Sequence, residues 1–135
     1  MVSMVLVDTS AWIGYFNDVS PVADMVEQVI RNGKAILCPI VWTEILQGVR
    51  DDKALEEMRL FLGDFVMLDN DIMSVAEKTI SLYRSLRKKG ITIRKTNDCM
   101  IASYALLNGV PILQIDRDFS LIAENSPLEL YLAGD

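Results

Sequence analysis

Met4-Val5-Leu6-Val7-Asp8-Thr9-Ser10 is a short apolar run that stops abruptly on an acid. Four apolar residues bounded by polar ones read as a buried strand rather than a helix, because a helix needs a longer periodic stretch. Asp8 then sits at the strand's C-terminal tip. The same figure recurs at Val110-Pro111-Ile112-Leu113-Gln114-Ile115-Asp116, which places Asp116 at the tip of a second buried strand. Two more acids interrupt apolar segments: Glu44 in Pro39-Ile40-Val41-Trp42-Thr43-Glu44-Ile45-Leu46, and Asp98 in Thr96-Asn97-Asp98-Cys99-Met100-Ile101-Ala102. Both segments read as first turns of buried helices. In open α/β sheets, ligands bind outside the carboxyl ends of the strands, where the following helices begin. Asp8, Glu44, Asp98 and Asp116 are therefore expected to share one metal site.

Working outward, strands and helices alternate along the chain. Residues 4–7 form the first strand, and Thr9 or Ser10 caps a helix to about Phe16. Ser20-Pro21 opens a helix to Arg31 with proline at its first position. Residues 34–38 make the second strand, and Pro39 starts a helix to about Val49. A helix around Leu55, Met58 and Leu62 leads to a short strand at 65–68. The apolar spacing of Ile72, Val75, Ala76, Ile80, Tyr83 and Leu86 predicts a long helix from Asp71 to Lys89, stopped by Gly90. Thr96 caps the next helix and Gly109 ends it. A strand at 110–115, a helix at 118–123 and an edge strand at 128–132 complete the series. The expected fold is a single α/β domain over residues 1–135, with a mostly parallel sheet of about four to five strands flanked by helices on both faces.

Half of the 135 residues are hydrophobic, which supplies a proper core for one domain and leaves no length for a second. The longest nearly apolar stretch, residues 99–115, is broken by Asn108-Gly109 and Pro111, so no membrane span is expected. With no basic leader at the N-terminus, the expected location is the cytoplasm. Cys38 and Cys99 lie in apolar runs and read as buried thiols.

The chain has no histidine, which removes Ser-His-Asp and Cys-His nucleophilic schemes and most zinc sites. Carboxylate chemistry on a hard cation survives. Clustered carboxylates raise one another's pKa, and a divalent cation resolves that conflict. Mg²⁺ is typically held by one or two carboxylates and substrate phosphate. Such a site performs in-line hydrolysis at phosphorus with water as nucleophile. Asp8 and Asp98 are the expected direct ligands, Glu44 a ligand through water or an orienting group, and Asp116 the fourth wall of the site or a ligand to a second metal. Thr9, Ser10, Thr96 and Asp118 are the expected supporting residues. The net charge of −6 speaks against nucleic acid, yet Arg84, Arg87, Lys88, Lys89, Arg94 and Lys95 form a local basic strip suited to phosphate contact. A solvated helix end accounts for Arg87 to Lys89 equally well. Asp8, Asp98, Asp116 and Asp118 also have duller explanations, as helix caps, turn residues or partners of a helix N-terminus, whereas Glu44, in a helix apolar on nearly every side, needs a partner.

Taken in order, Asp8-Thr9-Ser10, Glu44 after Pro39, Thr96 to Ala102 and Asp116-Arg117-Asp118-Phe119 resemble the successive motifs of the PIN domain, above all the VapC-type toxins of prokaryotic toxin–antitoxin pairs. The resemblance spans nearly the whole chain. It implies a Mg²⁺- or Mn²⁺-dependent endoribonuclease that leaves a 5′-phosphate, with Asp8, Glu44, Asp98 and Asp116 as the acidic quartet and Ser10 in support. It also implies a homodimer and a VapB-type antitoxin, for which the apolar helix faces around residues 11–30 and 44–62 are receptors. The chain departs from the family at Gln114, where a threonine is usual. Asp116 and Asp118 are both candidates for the fourth acid, the strand-end position favouring Asp116. A PIN-like nuclease acting on DNA or in RNA maturation, and a catalytically silent interaction module, stand as the alternatives.

Overall fold

The computed structural model of the chain describes residues 3–132. β1 (Val5–Val7) is followed by α1 (Thr9–Phe16) and α2 (Val22–Arg31), then by β2 (Ala35–Leu37), α3 (Pro39–Gln47) and α4 (Asp52–Leu62). β3 (Val66–Met67), α5 (Ile72–Lys88), α6 (Thr96–Asn108), β4 (Ile112–Leu113) and α7 (Arg117–Glu124) complete the described elements. The four strands form one sheet in the order β3-β2-β1-β4, all parallel. Leu6 of β1 pairs with Ile36 on one side and Ile112 on the other.

Successive strand residues point to opposite faces of a sheet. All three residues of β1 and all three of β2 are buried, so helices must cover both faces, as the apolar runs predict. Trp12, Phe119, Leu6 and Ile112 are among the fully buried side chains. Each contributes on the order of 1.5–3 kcal/mol by leaving water. Trp12 packs against Tyr15, Phe16, Phe61 and Phe65, which makes it core rather than a base-stacking platform. Both cysteines are buried free thiols, with burial pushing Cys38 to about 12 and Cys99 to about 11. Among the described residues, no helix is long and apolar enough to cross a membrane.

Several boundaries differ from expectation for identifiable reasons. The strands are shorter than their apolar runs. β4 shrinks to two residues because Pro111 has no N–H for the ladder and the N–H of Ile115 is diverted to the Ser10 hydroxyl. The expected edge strand at 128–132 is a single parallel bridge between Ile112 and Leu130. α1 is capped by Asp8 rather than by Thr9 or Ser10, its carboxylate accepting from the Ser10 N–H. α6 starts behind Lys95, with no side-chain cap, so Thr96 is its first residue and not its cap. Pro21 occupies the cap position of α2 instead of its first turn. Gly109 closes α6 in the left-handed conformation, as expected of a C-terminal glycine.

The strand order fixes where a ligand belongs. The chain leaves β1 towards β2 and β3 on one side and returns to β4 on the other. The helices that follow β1 and β4 therefore diverge, opening a crevice at the C-terminal ends of those two strands.

Candidate metal centre

Asp8 enters the crevice directly from β1. Its backbone N–H still donates to the Leu113 carbonyl (2.9 Å), which ties it to β4. Its Oδ2 accepts from the Ser10 N–H (3.0 Å) and the Ser10 hydroxyl (2.6 Å). The Ser10 hydroxyl accepts in turn from the Ile115 N–H (3.2 Å), so one side chain joins the exits of both strands. Asp51 and Asp71 cap α4 and α5 by the same hydrogen-bond chemistry, but on the exposed surface. Capping alone thus gives no reason for Asp8 to be buried, with 4 % of its surface accessible. Burial raises its pKa, the Ser10 hydrogen bonds oppose the rise, and the Glu44 charge adds to it. Ser10→Ala is expected to leave the Ile115 N–H without its side-chain acceptor and Asp8 with one donor fewer. The expected cost is about 1–3 kcal/mol, read as a lower melting temperature, which Ser10→Thr largely restores.

Asp98 reaches the same crevice as the third residue of α6, near the positive end of that helix. It is buried, and its Oδ2 has no hydrogen-bond partner. Asp116 caps α7, its Oδ1 accepting from the Asp118 N–H (2.9 Å), and Asp118 is itself buried in the first turn. Ligand oxygens of Asp98, Asp116 and Asp118 lie within 4.8 Å of one another. Burial, then the charges of Asp116 and Asp8, push the Asp98 carboxyl up to about 7, with Lys95 opposing.

Glu44 lies in the second turn of α3, not the first, and is half-buried rather than enclosed. Thr9 donates its hydroxyl to Oε1 (2.7 Å) and Asn97 donates its amide to Oε2 (3.3 Å). Both oxygens are therefore engaged, and Glu44 spans α1 and the start of α6 beside the aspartates.

The structure brings Asp8, Glu44, Asp98 and Asp116 to one end of the sheet, and Asp118 with them. It gathers Asp118 more tightly with Asp98 than Asp8, whose Oδ2 is turned to Ser10. Thr9 and Ser10 support the acids by hydrogen bonds, whereas the exposed Thr96 hydroxyl makes none among the described residues. Of the expected RNA-binding cations, Lys95 acts electrostatically on Asp98. Arg94 is exposed on the preceding loop, and Arg84, Arg87 and Lys88 lie on the last turns of α5. Sequence reasoning gave Asn97 no role, because a polar residue in a helix's first turn is ordinary and its partner is 53 residues away. Gln114 places a buried, unpartnered amide oxygen where the usual threonine would put a hydroxyl.

The donor set fits a hard divalent cation. Carboxylate oxygens are its preferred ligands, and a buried carboxylate oxygen with no donor is costly unless a cation or proton meets it.

The PIN domain family model matches residues 5–125, most of the chain. The chain belongs to the PIN-domain family. This PIN domain is 31% identical over 129 residues to ribonuclease VapC11 of Mycobacterium tuberculosis, covering 93% of this chain and 96% of that protein. Among solved structures it resembles VapBC2 of Rickettsia felis bound to a promoter DNA fragment, with a TM-score of 0.75 at 18% identity over 95% of this chain and 97% of that one. DNA-bound VapBC of Salmonella typhimurium superposes with a TM-score of 0.72 at 18% identity, covering 96% and 98% of the two chains. The ordered motifs in the sequence thus identified the family correctly, and the parallel α/β architecture is the PIN fold.

Proposed function

We propose that this PIN domain, taken as a single unit over residues 1–135, is the endoribonuclease toxin of a VapBC pair, acting in the cytoplasm on RNA with Mg²⁺ or Mn²⁺. The observation that carries the reading is the trio of carboxylates within 4.8 Å, one of them with a buried, unpartnered oxygen, at the crevice between β1 and β4. The VapC ribonuclease relative, matched along almost its whole length, supports RNA as substrate.

In this reading Asp98, Asp116 and Asp118 hold the cation, and Asp8 faces them from β1. A cation held there would supply charge neutralisation at the scissile phosphate and would ease loss of a proton from the attacking water. The chain's own residues do the rest. Ser10 fixes the Asp8 carboxylate so that it orients the attacking water rather than rotating away. Thr9 and Asn97 hold Glu44 as a negative wall that keeps α1 and α6 in register beside the site. Lys95, whose charge acts on Asp98, offers a cation to an incoming phosphate.

Ile13, Phe16, Val19 and Leu60 expose apolar surface on and beside α1 and α4, and Phe16 meets Phe61 across those helices. This face is the receptor proposed for an amphipathic antitoxin segment, as helix-in-groove recognition requires. A homodimer that aligns two acidic sites along one RNA groove belongs to the same proposal.

The substrate assignment is tested by offering single-stranded RNA and flap DNA of the same sequence to the protein with Mn²⁺ present. RNA is expected to be cut and DNA spared by at least about a hundredfold in kcat/KM, or about 2.7 kcal/mol. Equal cleavage of both would move the reading to a nuclease of other substrates.

A further inference from the structure

The basic residues of this acidic chain are gathered rather than scattered. Between Lys78 and Asn97 lie seven of the 13 Lys and Arg and none of the 19 Asp and Glu. That segment carries +7 while the remainder carries −13, with six cations against 19 acids. Local charge governs phosphate contact, so the net charge does not argue against it.

On the structure this segment forms a built surface. Ser81, Arg84, Ser85, Lys88 and Lys89, at spacings of three and four residues along α5, wall a hollow of about 400 Å³. An adjoining hollow of about 200 Å³ shares Ser81, Ser85 and Lys89 and adds Lys78. Among the described residues no carboxylate lines either one, and the one ion pair is Arg31 with Glu27, elsewhere on the surface. Lys89 is fixed in place by donating to the Asn125 carbonyl (2.7 Å) at the end of α7. The C-terminal dipole of α5 accounts for Arg87 and Lys88, since its effect fades within the last turn. It does not account for Lys78 and Arg84, further up the helix, or for the two serine hydroxyls between the cations. Hydroxyls interleaved with Lys and Arg match the oxygens of a phosphodiester, which accept from both.

The strip also leads somewhere. From the hollow the chain runs through exposed Arg94 and Lys95 into α6, whose first turn carries Asp98. We propose that the α5 hollow holds a backbone phosphate of the RNA substrate away from the scissile bond, with Arg94 and Lys95 guiding the strand to the acidic site. This rests on the ribonuclease reading. It makes α5 a second contact surface that holds RNA independently of the reacting phosphate.

The test is binding of labelled, mixed-sequence single-stranded RNA across a salt series, in the Asp98→Asn background so that nothing is cut. Arg84→Ala/Lys88→Ala is compared with Lys34→Ala, a cation immediately before β2, at the end of the sheet opposite the acids. The double variant is expected to bind about tenfold or more weakly near 0.1 M salt, and to lower the slope of log K against log salt by about 1–2. Lys34→Ala is expected to change neither. All three positions are at least partly exposed, and unchanged melting temperatures check that each variant folds. Unaltered affinity and slope in the double variant, while the wild type cleaves RNA, would overturn the α5 contact and leave the ribonuclease standing. Absence of both RNA binding and cleavage in the wild type would overturn both. Weakened antitoxin assembly with unaltered RNA binding would overturn it in favour of a protein-docking role.

Discussion

Asp98→Asn is expected to abolish RNA cleavage and, at the same time, to make the metal-free protein more stable at pH 8. The first effect follows from the proposed site: the substitution keeps the shape of the side chain but removes the charge that would attract a cation into the trio with Asp116 and Asp118. A loss of about a thousandfold or more in kcat/KM, some 4 kcal/mol of transition-state stabilisation, is the expected scale. The second follows from the cost of that charge without its cation. Asp98 is buried, one oxygen lacks a donor, and two acids lie beside it. Asparagine ends the repulsion and turns an NH₂ group towards the neighbouring carboxylates. The gain should appear as a higher melting temperature, by about 4 °C for each kcal/mol in a chain of this size. A purely structural acid would show the opposite, a loss of stability on neutralisation, so the signs of the two changes together identify a functional carboxylate.

The second large effect couples cation, pH and stability. Asp98 titrates at about 7 in the folded protein against an ordinary 3.8. Between those values the folded, metal-free protein keeps a proton that the unfolded chain has released. Its stability therefore falls as pH rises from about 4 to about 7, and levels off above that. Asp8, also raised by burial, acts in the same direction. A divalent cation needs the carboxylate, so its stabilisation is fully present above pH 7 and shrinks as Asp98 is protonated below it. At about 100 times Kd the cation is expected to add about 2.7 kcal/mol, or roughly 10 °C in melting temperature, at pH 8. At pH 5 the shift should be small. Scanning calorimetry with Mn²⁺, with chelator and at the two pH values checks the sign and the crossover. An equal shift at both pH values would mean that the cation binds elsewhere.

Most of the architecture was legible in the sequence because strand, helix and cap signals agreed with one another. Apolar runs of a few residues, each ending in an acid, marked β1 and the approach to α7, and Gly109 ended α6 as it should. The acids announced themselves by contradiction, since carboxylates are rare at the edges of buried segments. What the sequence withheld was relative geometry. Asp116 and Asp118 are two residues apart, and nothing in their spacing tells that both turn towards Asp98 while Asp8 is drawn to Ser10. The Glu44–Asn97 contact joins helices across 53 residues of chain. The cap assignments at Thr9, Ser10 and Thr96 missed because capping needs an extended backbone immediately before the helix, and that position is occupied by Asp8 and Lys95. The basic strip was visible as composition, but the hollow that its cations share with Ser81 and Ser85 required the packing of α5 against its neighbours.

The most direct test of the whole account is cleavage of a mixed pool of tRNA, ribosomal RNA fragments and messenger RNA by antitoxin-free protein. The reaction is run with Mn²⁺ or Mg²⁺, with chelator, and with Asp98→Asn prepared identically. Discrete fragments are expected from the wild type with cation, and none from the chelated enzyme or the variant. Fragments that persist undiminished with chelator or with Asp98→Asn, or an intact pool after incubation with folded wild type and cation, would contradict that expectation.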